Sequence, residues 1–419
     1  MSSYHWFGAG AVALALAGLF IKTDAPTKPH PAPLSHPIAS TPAPVKTPPT
    51  STTEKTATSH AKPSPKPPAK TAGPAKPPAV LTPAAPAVSA AQSPLPPSDT
   101  DFSGTPSLSL PLDCIGGETC FIQNYVDLDT TKGVRDYTCD KASYEGHKGT
   151  DFRLLSMRDV RRGVDVLADA PGVIKAVRDG VRDRLLRGPL PKELKGRECG
   201  NGLVIDHGHG WESQYCHMRR KSLRVKKGDR IMRGQKLGLV GVSGKTQFPH
   251  LHLAIRYKGK VIDPFTVRQP TMTGCARKQN REVNACTSLW QKQVLAQFPH
   301  SDATLFWHGF AIEKAHKALL MDRGAMIMPK DIKAPAIYYY ASVINLRKGD
   351  QIKIDVQGPK GRLASTTTDP MNRHKASYLA FVGKQRYGFA WPRGSYKATL
   401  SLLRDGKALW TKHEEVKLK

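Results

Sequence analysis

Three short stretches in the middle of this 419-residue chain carry side chains able to do hydrolytic chemistry. They are His147 and Asp151 in Gly-His-Lys-Gly-Thr-Asp-Phe, His217 in Gln-Tyr-Cys-His-Met, and His250 and His252 in Phe-Pro-His-Leu-His-Leu. Imidazole nitrogen and carboxylate oxygen are donors that zinc accepts, and a catalytic zinc takes three protein ligands and keeps a fourth position open. Five candidate groups therefore suffice for three ligands on one Zn2+ and two side chains left to handle protons. That division lets a protein cut an amide bond with water. No His-Glu-x-x-His occurs, so histidines must do the proton work, and they titrate near neutral pH without tuning.

The spacings constrain the elements that hold these groups. Residues two apart share one face of a strand and diverge on a helix, so His250 and His252 call for a strand. Leu251, Leu253 and Ile255 alternate with His250, His252 and Ala254, which puts leucines behind the imidazoles. Pro249 suits only the start or edge of such a strand. On its own the pair fits satisfied polar residues as well as ligands. His147 and Asp151 are four apart, a helical spacing, but Gly146, Gly149 and Thr150 oppose a helix. A glycine bend entering a strand is expected there instead. Spacing leaves open which three of the five are ligands.

The surroundings read as β from 146 to 265. Runs 164–168 and 172–177 are broken by Ala170-Pro171, and 202–206 and 212–216 flank the turn residues His207-Gly208-His209-Gly210. His207 and His209 are expected to be structural or solvated. A turn at 225–229 precedes another strand over 235–241. The stretch 178–198 is basic, aperiodic and holds two prolines, so it is expected to be a surface insertion that shapes or partly covers a groove. After 270 the first third shows no clear period. Runs 337–340, 351–356, 378–382 and 396–400 then suggest a small antiparallel sandwich.

In chain order, Gly-His-Lys-Gly-Thr-Asp-Phe, Tyr-Cys-His-Met, Val-Lys-Lys-Gly-Asp-x-x-x-x-Gly-Gln-x-x-Gly-x-x-Gly and His-Leu-His-Leu resemble the LytM/lysostaphin-type zinc metallopeptidases of peptidase family M23. The likeness covers roughly residues 140–270. It implies a compact β fold with a groove, peptides of bacterial peptidoglycan as substrate, and one Zn2+ on His147, Asp151 and His252. It also implies that His217 and His250 are the free pair that activates water and steadies the oxyanion. Some relatives lose ligands and serve only as activators of other wall hydrolases, so a non-catalytic groove-binding activator is the alternative. The complete ligand set favours the enzyme, and a cell-envelope regulatory protein is a compatible partner.

A net charge of +29, spread through the folded region, suits acidic surroundings such as anionic lipid or wall polymer. No zinc-finger or RNA-binding signature is present and few aromatics sit among the basic residues, so nucleic acid is not expected as a partner. The apolar run 6–21 would span about 24 Å as helix against a hydrocarbon core of about 30 Å. It reads as a signal peptide or an uncleaved membrane anchor, and either puts the body in the periplasm or cell envelope. Residues 23–101 hold 21 of the 35 prolines and cannot form a packed core. Seven cysteines fit an oxidising compartment. Cys114 with Cys120 and Cys275 with Cys286 could close local loops, and a disulfide at Cys216 would fix the strand of His217. The expected organisation is a signal or anchor at 1–22, a disordered linker at 23–105, a mainly β, antiparallel metallopeptidase domain at 106–270, and a small β-sandwich-like accessory domain at 271–419.

Overall fold

Alternating apolar and polar residues, punctuated by glycine turns, set the strands of this protein. The computed structural model describes residues 104–267, 288–300 and 303–419. The expected leader, nearly all of the Pro-rich linker, Cys275 and Cys286 lie outside the described residues. Among the described residues no helix is long and apolar enough to cross a membrane.

The first half contributes β1 (Cys120–Asn124), β2 (Thr150–Leu154), α1 (Met157–Arg162), β3 (Asp165–Leu167), β4 (Gly172–Arg178), β5 (Asn201–Gly208), β6 (Trp211–Met218), β7 (Arg230–Ile231), β8 (Lys236–Leu239), β9 (His250–Tyr257) and β10 (Lys260–Ile262). An antiparallel sheet runs in the order β1-β2-β9-β6-β5-β4-β7, with β10 also on β9, while β3 and β8 pair separately. His209 and Gly210 both have positive φ, 49° and 88°, and close the β5–β6 hairpin. Two such residues give a turn whose twist matches that of the strands. Leu251, Leu253 and Ile255 of β9 enter a core with Phe152, Leu203, Ile205 and Tyr215. Leu289, Trp290, Val294 and Phe298, around α2 (Lys292–Gln297), join the same core.

The stretch 178–198 is more than a surface insertion. Its arginines Arg182, Arg184 and Arg187 are exposed, but its backbone pairs with the loop after β8. Arg184 N donates to Val242 O and Leu186 N to Thr246 O, at 3.1 and 2.7 Å. Asp183 accepts from Val242 N and Arg220 N through its two oxygens. Asn201 donates to Val181 O and accepts from Val181 N. Irregular sequence hid this because the pairing is carried by backbone and by single polar side chains, not by an apolar period.

The second half contributes β11 (Thr304–Ala311), α3 (Lys317–Arg323), β12 (Ala336–Leu346), β13 (Gln351–Gly358), β14 (Gly361–Thr367), β15 (Lys375–Gln385), β16 (Gly394–Arg404) and β17 (Lys407–Leu418). Sheets β11-β12-β15 and β14-β13-β16-β17 share one core, in which Phe310, Tyr339 and Val343 meet Ile352, Ile354 and Leu400. This is the expected sandwich, with β11, β14 and β17 in addition. Every residue of β12 is buried, because its other face packs on Leu320 of α3 and on Phe121 of β1.

The two halves meet at Arg153 of β2. Its guanidinium lies 4.1 Å from the centre of the Phe306 ring, 4.8 Å from Phe248 and 5.2 Å from Trp307. It donates to Gln123 Oε1, while Nε and Nη2 are buried with no protein partner. Aromatic faces offer a cation partial compensation for lost water, yet burial still pushes the Arg153 pKa down to about 9. Trp307 Nε1 donates to Leu155 O and Asn345 Nδ2 to Gln123 O, both at 3.1 Å.

Disulfides join Cys114 to Cys120 and Cys199 to Cys216. Cys139 is disulfide-bonded as well.

Candidate metal centre

Cross-strand register brings the candidate ligands together. Asp151 on β2 stands opposite His252 on β9, and Cys216 on β6 stands opposite the same histidine from the other side. His147 reaches them from the Gly146–Gly149 bend that feeds β2. Asp127 holds this bend: its Oδ2 accepts from Gly146 N, and its N donates to His147 O. A side chain at Gly149 has no room. A Cβ there would sit 2.5 Å from Leu253 O and 2.7 Å from His252 Nε2.

Three donor atoms converge. His147 Nε2 is 3.1 Å from Asp151 Oδ1 and 3.1 Å from His252 Nδ1, and His252 Nδ1 is 2.9 Å from Asp151 Oδ1. Donors on a tetrahedral zinc with ordinary bond lengths lie about 3.3 Å apart. The set therefore fits that ion after a small outward adjustment. Outer partners aim two of the three ligands. His147 Nδ1 faces Tyr125 O at 2.7 Å, and a carbonyl can only accept, so Nδ1 carries the proton and Nε2 keeps its lone pair. Asn124 Nδ2 donates to Asp151 Oδ2 at 2.7 Å, leaving Oδ1 for the centre.

His217 and His250 flank this set. Their ring centroids are 4.6 Å apart, and His217 is 6.0 Å from His252. His250 Nε2 lies 3.5 Å from Asp151 Oδ1. Each is oriented by a carbonyl: His217 Nδ1 donates to Ser243 O at 2.8 Å and His250 Nδ1 to Phe248 O at 2.9 Å. Both Nε2 atoms are thus unprotonated in the neutral rings. His217 has φ of 62°, a left-handed conformation that costs a non-glycine residue about 1–2 kcal/mol. It is held there by His217 N→Cys199 O and Gly241 N→His217 O, with Cys199 tied to Cys216. The disulfide expected to fix this strand is present.

Electrostatics set an anion among neutral rings. Burial, then the neighbouring His250 and His252, hold His217 well below the usual imidazole range. Burial also lowers His250 and His252. Burial opposes charge on His147, but the Asp151 carboxylate and its hydrogen bond outweigh it and raise that pKa. Burial likewise opposes the Asp151 charge, and His147 and His250 overcome it, so Asp151 is held well below the carboxylate range. An ionised carboxylate with inward lone pairs from several imidazoles is a site for a cation.

All five sequence candidates are thus gathered, and two other histidines are not. His207 is buried elsewhere, between Pro171 O and Ser213 Oγ, and His209 is exposed at the hairpin turn. Sequence reasoning missed the carbonyls of Tyr125, Ser243 and Phe248, the amide of Asn124, and Tyr144. The Tyr144 ring sits 4.4 Å from His147 and is half exposed. Burial, then Asp151, push its phenol pKa up, which keeps it neutral.

Residues 145–264 match peptidase family M23. The peptidoglycan DD-endopeptidase ShyA of Vibrio cholerae is 32% identical over 133 residues, covering 32% of this chain and 25% of that protein. The DD-carboxypeptidase/endopeptidase Mpg of Neisseria gonorrhoeae is 31% identical over 111 residues, 26% of this chain and 23% of that one. The chain spans about a quarter of the length of these curated relatives. Among solved structures, the catalytic domain of lysostaphin from Staphylococcus simulans aligns at 20% identity over 34% of this chain and 85% of that chain, with a TM-score of 0.22.

Proposed function

We propose, from a chain whose residues 145–264 form a peptidase family M23 domain, that this protein is an exported zinc endopeptidase that hydrolyses peptide cross-links of bacterial peptidoglycan. The observation that carries the reading is the convergence of His147 Nε2, Asp151 Oδ1 and His252 Nδ1 within 2.9–3.1 Å of one another, beside His217 and His250, whose ring centroids are 4.6 Å apart. In this reading His147, Asp151 and His252 hold one zinc ion. Zinc bound there would supply Lewis acidity and bring the pKa of water toward about 7.

The chain's own proton work falls to His217 and His250. Their Nδ1–H groups are committed to Ser243 O and Phe248 O, so only Nε2 can accept a proton from attacking water. Burial keeps both rings neutral, so that Nε2 carries a lone pair. The ring that takes the proton becomes an imidazolium, which can then donate to the developing oxyanion or to the leaving amine. Export and residence in the periplasm or envelope belong to the same proposal, with 1–22 as signal or anchor. So does the division into a peptidase part at 106–270 and an accessory part at 271–419.

Purified peptidoglycan and defined cross-linked muropeptides test the proposal. Cleavage followed by mass spectrometry should show hydrolysed cross-links, lost with a chelator and restored by Zn2+. Intact cross-links in the presence of bound zinc would instead favour a non-catalytic activator of other wall hydrolases.

A further inference from the structure

The loop between β15 and β16 presents two aromatic rings to water. Tyr387 is 87% exposed and Phe389 is 98% exposed. This is not a frayed segment. Arg386 N donates to Pro335 O, and Arg386 Nη1 turns back on the carbonyls of Gly388 and Phe389. Trp391 N donates to Ile332 O and its Nε1 to Ala334 O. The loop is therefore fastened at both ends and folded over its own arginine, with the two rings left outside. Two rings this exposed on a fastened loop offer a contact surface.

The chemistry around the rings selects among partners. From 381 to 394 the chain holds Lys384, Arg386 and Arg393 and no carboxylate. The segment that fastens the loop, 332–335, adds exposed Lys333. A sugar-binding platform needs directional polar groups beside its rings. Here the arginine inside the loop is spent on the backbone carbonyls of Gly388 and Phe389. Exposed rings flanked along the chain by Lys384 and Arg393 match the boundary of a bilayer, where rings enter below the headgroups and Lys and Arg stay at the phosphates.

We propose that the 386–393 loop inserts Tyr387 and Phe389 into the interface of an anionic phospholipid bilayer, with Lys384 and Arg393 at the headgroups. The inference stands apart from the peptidase reading and holds whether or not the metal centre turns over. The test uses the full chain with vesicles of phosphatidylcholine alone or mixed with phosphatidylglycerol. A Phe389→Trp variant should show a blue-shifted emission on the anionic vesicles and quenching by shallow doxyl-lipid. The double change Tyr387→Ser/Phe389→Ser should weaken binding to those vesicles by about tenfold or more, the scale of returning one or two rings to water. Lys384→Glu with Arg393→Glu should weaken binding to anionic vesicles and leave neutral ones alone. An indole that stays in water on vesicles that carry the protein down would place attachment elsewhere and overturn the proposal. So would the absence of binding to either vesicle. Loss of retention on purified peptidoglycan in the double serine variant, with vesicle binding intact, would assign the loop to wall polymer instead.

Discussion

Asp151 and Asp350 are both buried carboxylates, at 1% and 0% exposure, and the protein neutralises them differently. In the C-terminal sandwich Arg404 grips Asp350 through Nε and Nη2 at 2.7 and 2.9 Å, and Arg347 N donates to it as well. That charge is closed by a permanent cation. Asp151 meets only imidazoles and one amide, and no lysine or arginine pairs with it among the described residues. Its charge is left for something removable. The contrast separates a carboxylate that serves the fold from one that serves a site, on grounds independent of sequence similarity.

The sharpest way to break this comparison is to delete each carboxylate. Asp151→Ala should abolish zinc retention and lower hydrolysis by at least roughly a thousandfold, the scale of several kcal/mol of lost transition-state stabilisation. Elemental analysis and wall-cleavage rates read both effects. His217→Ala should keep the zinc and lower kcat by roughly a hundred- to a thousandfold. A near-normal kcat would take the proton-handling role away from His217. Asp350→Ala should do the reverse, destabilising the fold by about 3 kcal/mol or more by stranding Arg404, with zinc content unchanged. Loss of zinc in that variant would show that the two regions are not separable in this sense.

Smaller effects sharpen the picture. Gly149→Ala should cost about 1–3 kcal/mol, because the added methyl must push on Leu253 O and the His252 ring. Weaker zinc affinity in a titration would accompany it, which an ordinary core strain would not produce. The smallest effect concerns acid. His217, His250 and His252 have lowered pKa values in the folded state, so the unfolded chain takes up their protons first as pH falls. The zinc-free protein should therefore hold its stability above about pH 6.5 and lose it below, by at most about 1.4 kcal/mol per pH unit per group. His147, whose pKa is raised, acts in a different window: its contribution is complete below about pH 6.5 and is lost as pH rises through its folded value, so it leaves the slope below 6.5 unchanged. Denaturant melts of chelated protein between pH 8 and 5 would check it, and His217→Ala should flatten the slope.

Much of the site was legible because its signal is local. His-Leu-His-Leu states strand, face and burial in four residues, and β9 does bury Leu251 and Leu253 opposite the two imidazoles. The two glycines around His147 announced the bend. What stayed hidden is carried by groups that have no side-chain signature. The carbonyls that orient His147, His217 and His250 could belong to any residue type, and two of those three lie 22 and 26 positions from the ring they hold. Strand β17 was missed because Lys407–Leu418 is mostly exposed on an edge and mixes charged with apolar residues, so its pairing with β16 leaves little apolar trace. Strand β12 was seen only in part, since burial on both faces removes the alternation that marks a strand.

The guanidinium of Arg153 has a consequence for truncation. It faces Phe306 and Trp307 from one half and Phe248 from the other, and Trp290 and Phe298 cross back into the first core. A gene fragment ending near codon 269 would uncover a cation that has aromatic cover only from Phe248 and would leave a hole where an indole had been. Residues 104–267 thus depend on the second half to cover a buried cation.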